Sequence, residues 1–398
     1  MDKIYDLDIY NESDKNGAYG GAAGRKDGII IDGEKWLIKY PKNLSQMEGS
    51  NASYSTAPLS EYLGSHIYKI IGFNAHDTIL GERNNKIVVG CKDFEVDGKK
   101  LLEIRTLKNH TNDIIDGFIY EGKIASEESH MVDLEEILIH ITYNDLLKDI
   151  PDIKQRFFEQ IIVDIFINNN DRNNGNWGIL RESGKTDVLA PIFDNGGSFN
   201  TKIPEDKIKR LLSSPKLTNQ ATNVLTVYSK NEHQLNAKKL IKEIEDIPEF
   251  QEAVKRVIPL IVDRYNDIIN MMNNIPSKHV LKNGTIVDVF SDERRELYKK
   301  QLSIRLEKIL LPLYEKFKDI DISLPPLSTS SDTIDNNNVI NVSTNVSTSV
   351  KTQTEILSDY SRKINKTIKQ VILEEKAKIQ HSFEHIVKQI EHSFGFSQ

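Results

Sequence analysis

This sequence predicts an α+β fold: a small strand-rich lobe, then a mainly helical lobe, then a helical appendage. Three observations predict it. Over residues 1–95 apolar residues come in short, glycine-punctuated runs of strand character. From about residue 130 they recur instead at spacings of three and four, the helical period. The chain, at 398 residues, also exceeds the size of roughly 250–300 residues at which a single core stops growing. Two lobes imply a cleft between them.

In the first lobe the strand-like runs are YDLDIY, GIII, EKWLIKY and KIVVGCKDF, with a glycine-rich turn after the first. One helix is predicted over residues 60–71, where Tyr62, Leu63, Ile67, Ile70 and Ile71 share a face and Pro58 sits at the entry. The second lobe, residues 96–326, carries helical patterns in MVDLEEILIHITYNDLL, QRFFEQIIVDIFI and EFQEAVKRVIPLIVDRYNDIINMM. Only residues 168–200 break the habit, with loop residues, a short strand WGIL, a turn at 183–185 and a second apolar run VLAPIF. Residues 327–353 are rich in Ser, Thr and Asn, with too few large apolar groups to build a core, and read as a linker. Residues 354–394 return to helical spacing, from Leu357 and Tyr360 through Ile390, in a charged background. Such a helix suits docking on the body or self-association with another chain. No internal repeat is evident.

Composition excludes several classes. With 52 basic and 59 acidic residues the net charge is −7, so counterion release cannot drive nucleic-acid binding and no nucleic acid is expected as the main ligand. The one cysteine, Cys91, rules out an intramolecular disulfide and a cysteine-based zinc site, and fits a reducing, cytoplasmic setting. Secretion into a host cell stays open. The start of the chain lacks the basic and apolar regions of a signal peptide. The longest apolar run, IIVDIFI, falls short of the about 20 residues of a membrane span and contains Asp164, so no membrane partner is expected. His381, His385 and His392 have no matching ligands and read as a solvated helix face. Neither a GxSxG elbow nor a Walker motif occurs.

Phosphoryl transfer needs cations held by carboxylate and carbonyl oxygens, a carboxylate near the acceptor hydroxyl, and donors around a triphosphate. The segment NNNDRNNGNWG places Asp171 five residues before Asn176, the spacing of a catalytic loop whose Asp meets the acceptor proton and whose Asn reaches a metal ion. Further on, Asp194 follows the run VLAPIF and precedes Asn195, Gly196 and Gly197, where a carboxylate could approach a phosphate-bound cation. Asp and Asn before Gly are also ordinary turn formers; it is the order of helix, loop, strand, turn, strand, Asp and Gly that favours chemistry. Upstream, Lys39 in EKWLIKYP and Glu61 on the following helix match a phosphate-contacting lysine oriented by a carboxylate. A solvent-facing lysine on an edge strand and a surface glutamate are the plainer alternatives. The stretch GAYGGAAGRKDG, with Gly20, Gly21 and Gly24, suits either a backbone cradle for ATP phosphates or a plain hairpin.

With these residues in view, the chain resembles the HipA-like kinases, including the stand-alone CtkA type that lacks the extra N-terminal subdomain. The resemblance rests on DRNNGNWG and PIFDNGGS, supported by WLIKYP and SEYLG, and spans roughly residues 1–320. It implies a bilobal protein-kinase-like fold that transfers the γ-phosphate of ATP, with magnesium, to serine or threonine. By the same resemblance Asp171 is the catalytic base, Asn176 and Asp194 are the magnesium ligands, and Lys39 contacts the ATP phosphates. Family members often act as toxins of toxin–antitoxin pairs on translation components, and CtkA-like proteins are associated with host cells, so the implied partners are a protein substrate and an antitoxin. Three departures stand out. Many relatives carry His where this chain has Asn173; residues 17–28 contain no Ser or Thr for loop autophosphorylation, leaving Ser50, Ser53 and Ser55 as substitutes; and Asn195 replaces the Phe that would flip after Asp194. Type II phosphatidylinositol 4-kinases look similar around the same two motifs, which makes a lipid kinase the first alternative, although no basic patch or palmitoylation segment supports it. A pseudokinase binding module is the second.

Overall fold

The computed structural model describes residues 3–14, 26–42, 56–120 and 131–320. The chain divides into two units, residues 1–325 and residues 326–398. Several expectations lie outside the described residues: the linker 327–353, the helix 354–394, the glycine stretch with Gly20, Gly21 and Gly24, and Ser50, Ser53 and Ser55.

Near the N-terminus run β1 (Tyr5–Asp6), β2 (Lys26–Ile31), β3 (Glu34–Lys39), helix α1 (Ala57–Ile70), β4 (Thr78–Arg83) and β5 (Lys86–Lys92). The strands form one sheet in the order β1-β4-β5-β3-β2, with β1 parallel to β4 and the rest antiparallel. Its two hairpins turn on residues of positive φ, Asp32 and Gly33 in one and Asn84 and Asn85 in the other, as two-residue connections between twisted strands require. Strand β4 was not expected from the sequence: Glu82 and Arg83 look solvent-facing, yet both are buried. Arg83 pairs with Asp27, and Glu82 accepts from the Lys282 amide while its other oxygen meets His279.

The period of two in β3 decides what each side chain meets. Trp36 and Ile38 point with Leu7, Ile29, Ile31, Tyr40 and Val88 into a small cluster on one face. Leu37 points the other way, into the main core against α1, and Lys39 must share its face. Since β3 lies between β2 and β5, Lys39 is not an edge-strand lysine.

Beyond the sheet the chain continues through β6 (Lys100–Glu103), α2 (Ile104–Leu107), α3 (Asp113–Tyr120), β7 (Val132–Asp133), α4 (Leu134–Tyr143), α5 (Ile153–Ile167), β8 (Gly178–Arg181) and β9 (Val188–Leu189). Then follow, among the described residues, α6 (Glu205–Leu212), α7 (Leu217–Thr222), the hairpin β10 (Leu225–Lys230) and β11 (His233–Asn236), α8 (Ala237–Ile244), α9 (Pro248–Asp263), α10 (Tyr265–Asn274), the hairpin β12 (Lys278–Val280) and β13 (Ile286–Asp288), α11 (Asp292–Arg305), a π turn at Leu306–Leu310 and α12 (Leu311–Phe317). Among these α5 is the centre. Phe157, Phe158, Ile161, Ile162, Ile165 and Phe166 are all buried, each worth about 1.5–3 kcal/mol on removal from water. It packs on α9, and Asn168, in the left-handed conformation, ends it.

Three details differ from the expectation. The apolar run at residues 249–272 is two helices, because Arg264 leaves helical geometry between α9 and α10. The run VLAPIF forms a strand only at Val188–Leu189; Pro191 cannot donate to a ladder, and the chain leaves β8 to bridge Ile192 with Ala75 instead. The hairpins β10/β11 and β12/β13 are not among the expected elements, although Asn283-Gly284 in the second is a turn signal and Gly284 takes φ 83° there.

Candidate active site

Lys39, Glu61, Asp171 and Asp194 line one cavity of about 560 Å³. Lys39 Nζ lies 2.8 Å from Glu61 Oε2 and 3.0 Å from Asp194 Oδ1, the second of these 155 positions away in the chain, so two carboxylates remote in sequence share one ammonium. Burial works to lower the Lys39 pKa, but the charges of Asp194 and Glu61 outweigh it and hold the ammonium well above the usual lysine value. Glu61, on the inner face of α1, is 1% exposed. Burial would raise its carboxyl; Lys39 first and His76 next hold it below the usual carboxylate range.

Glu61 is itself positioned. Its Oε1 meets His76 Nε2 at 3.0 Å and accepts the Asn195 amide at 3.0 Å, and His76 Nε2 also lies 2.9 Å from Ser65 Oγ. Ser65 follows Glu61 by one helical turn, so a single helix face carries both. Glu61, His76 and Cys91 form a buried trio of metal-ligand type, with ligand atoms within 4.8 Å of one another. The ammonium beside Glu61 repels a cation there, and burial keeps the Cys91 thiol protonated, so Glu61 and His76 read as a hydrogen-bonded brace with Cys91 packed beside them.

Asp171 faces the cavity from the loop after α5. Burial by the surrounding walls, then the charge of Asp194, raise its carboxyl above the usual value, while Asn173 Nδ2, donating to its Oδ1 at 3.0 Å, works against them. The residue standing where many relatives have His thus touches Asp171 directly. Asn176 is not on the cavity wall: 8% exposed, it sits behind, with Nδ2 donating to the Asp171 carbonyl at 2.5 Å. That bond leaves its Oδ1 without a protein partner among the described residues.

Two loops approach closely to make this wall. A Cβ on Gly197 would fall 2.7 Å from Asp171 Cβ and 2.8 Å from Asn169 Oδ1, so only glycine lets the Asp194 loop lie against the Asp171 loop. Asp194 itself has φ 56°. Binding them is Arg172, 2% exposed, whose Nε and Nη2 donate to Asp164 at 2.9 and 3.2 Å, whose Nη1 donates to the carbonyls of Asn176 and Phe193, and whose Nη2 also reaches Asn195 Oδ1. Tyr68 of α1 donates to the same Asp164 at 2.8 Å. Sequence reading missed this network, with His76, Ser65 and Asn195. The available signal was Asp164, a charge amid IIVDIFI, which on a buried helix demands a partner.

The donor set suits magnesium. Asp194 keeps Oδ2 open among the described residues, Asn176 keeps its amide oxygen, and hard oxygen ligands are what this ion takes. No described helix is long and apolar enough to cross a membrane.

The site is thus a strand lysine paired to a helix glutamate, with two loop carboxylates on the same cavity of an α+β fold. In sequence the chain is similar to a kinase of the CtkA type, as the motifs implied. It is 30% identical over 205 residues to the serine/threonine-protein kinase CtkA of Helicobacter pylori; the match covers 49% of this chain and 56% of that protein, little more than half its length. The crystal structure of the Helicobacter pylori proinflammatory kinase CtkA shares the fold, with a TM-score of 0.66 at 23% identity over 80% of this chain and 100% of that one. The HipA chain of a Shewanella oneidensis complex of HipA, HipB and operator DNA is more distant, with a TM-score of 0.46 at 11% identity over 80% of this chain and 70% of that one. No family model matches the chain.

Proposed function

We propose that the chain is an ATP- and magnesium-dependent serine/threonine protein kinase of the HipA-like type, built as two lobes, residues 1–95 and 96–326, around the cavity. One observation carries the reading: Lys39, Glu61, Asp171 and Asp194, remote in sequence, converge on that cavity. In this mechanism Lys39, fixed by Glu61, turns its ammonium to the nucleotide phosphates. Asp194 on the cavity wall, with the amide oxygen of Asn176 behind it, would hold magnesium, which would draw off negative charge from the phosphates. Asp171 orients the acceptor hydroxyl and takes its proton as that oxygen bonds to the γ-phosphorus; the bond to the bridging oxygen breaks and ADP leaves. The resemblance, rather than the geometry, suggests a translation component or host protein as acceptor, an antitoxin as partner and a cytoplasmic setting.

The test is transfer from radiolabelled ATP to a protein mixture and to phosphoinositide vesicles. Asp171→Ala is expected to lose about 100-fold or more of protein labelling, and Asp194→Ala to lose magnesium dependence with it. Labelling of lipid without protein, or full transfer by Asp171→Ala, refutes the assignment.

A further inference from the structure

The same cavity continues past Asp171 to Gln220, Asn223, Leu225 and Arg305, residues the phosphate chemistry does not use. Arg305, the last residue of α11, is 1% exposed. Its Nε donates to the Ala221 carbonyl and its Nη1 to the Phe166 carbonyl, each at 3.0 Å. Its Nη2 has no partner, and no carboxylate pairs with it, among the described residues. Of the other buried arginines, Arg172 has Asp164, Arg294 has Glu205 and Arg83 has Asp27, while Arg295, also held by backbone carbonyls, still has Asp292 at 4.0 Å. A buried cation without a counterion is expensive unless something else supplies one. Burial pulls the Arg305 pKa down to about 9, which still leaves the guanidinium charged at neutral pH.

The neighbours point the same way. Gln220 Oε1 already accepts from Gln301 Nε2 at 2.9 Å, and Asn223 Oδ1 faces Asn236 Nδ2 at 3.5 Å, which leaves the NH₂ groups of both amides as donors. This end of the cavity therefore offers hydrogen-bond donors and a positive charge to whatever enters. Its distance from the reacting centre is bounded by the chain: Phe166, which Arg305 touches, precedes Asp171 by five residues, or at most about 18 Å fully extended. Asn168 and Asn170, between them, also line the cavity.

We propose that Arg305 is a specificity-determining residue that receives an anionic side chain of the acceptor protein, carried within about five residues of the phosphorylated hydroxyl. The inference rests on the kinase reading and deepens it, because it names what the acceptor must look like. The anion is a carboxylate or a phosphorylated side chain; both present the paired oxygens that a guanidinium fork binds.

The experiment uses the full chain with magnesium, ATP and a peptide library holding one serine or threonine and, at each offset up to five, Glu, phosphoserine or Gln. The wild type is expected to favour an anionic peptide over its Gln counterpart by about tenfold or more in kcat/KM at one offset. Preference for Glu or for phosphoserine tells the two sources apart. In Arg305→Gln that ratio falls towards one, and Arg305→Lys, which keeps charge but not the fork, falls between. If Arg305→Gln does not fold, the wild-type ratio and Arg305→Lys decide. Equal rates for anionic and Gln peptides overturn the inference while leaving the kinase reading intact. If no peptide is labelled, calorimetric titration with the same peptides carrying Ala for the acceptor decides. Binding that requires the anion and weakens in Arg305→Lys supports the inference even as the kinase reading fails; equal binding or none overturns it.

Discussion

Arg172→Met is the perturbation that best separates what holds the site together from what holds the protein together. The guanidinium spans Asp164 on α5, the backbone behind Asn176, the Phe193 carbonyl before Asp194, and Asn195. Truncation leaves the buried Asp164 carboxylate with only Tyr68 and Asn169 as donors. Removing one partner of a buried pair costs about 3–5 kcal/mol, a large share of the roughly 5–15 kcal/mol by which domains are stable. Combining it with Asp164→Asn removes the stranded charge and keeps an acceptor for Tyr68, so the double variant should recover about 2 kcal/mol or more of the sum of the single losses. Activity should behave otherwise: the loops carrying Asn176 and Asp194 lose their common anchor in single and double variants alike, and transfer stays low in both. Equilibrium urea unfolding measures the first, and radiolabel transfer the second. Additive stability losses, or a double variant with wild-type activity, would refute the reasoning.

Gly197→Ala places a methyl against Asp171 and should cost about 1–3 kcal/mol by overpacking together with most of the transfer activity; unfolding midpoints and initial rates report both, and a fully active variant would show that the loops need not touch. The rate should also fall on the acid side as Asp171 takes up a proton, with a midpoint above the ordinary aspartate value of about 3.9, since burial and Asp194 raise this group. Asn173→Ala removes the donor that opposes them and should move the midpoint further up in the kcat/KM profile; an unmoved midpoint would separate Asn173 from the group that titrates. By the same linkage, ionised Asp171 lowers stability as pH rises through its folded pKa, so Asp171→Asn should be no less stable than wild type at neutral pH in thermal melts.

Much of the architecture was legible because it follows from local periodicity. The alternation in EKWLIKY makes β3, the spacing of three and four around Tyr62 and Ile67 makes α1, and the dense apolar run of residues 157–167 makes the central helix. The positions of Asp171 and Asp194 were legible because glycine marks a close approach whatever encloses it. What stayed hidden depends on partners distant in sequence. Glu82 and Arg83 look like surface residues until Asp27, His279 and the Lys282 amide are brought to them. His76 carries no motif, and only the fold sets its imidazole against Glu61. The weak hairpin β10/β11 is fixed by the parallel pairing of β10 with β7, a contact that no short window of sequence can reveal.

The bridge from Lys39 to Asp194 also bears on the order of filling. A free divalent ion meets a carboxylate whose charge is already half spoken for by an internal ammonium, and must compete with it. Phosphates give that ammonium another anion to face and release the oxygen. Magnesium alone should therefore bind weakly and nucleotide should sharpen its affinity, a reciprocal coupling that calorimetry with and without a non-hydrolysable ATP analogue would detect. On the proposed reading, the ammonium of Lys39 is an internal counterion that nucleotide phosphates would draw away from Asp194.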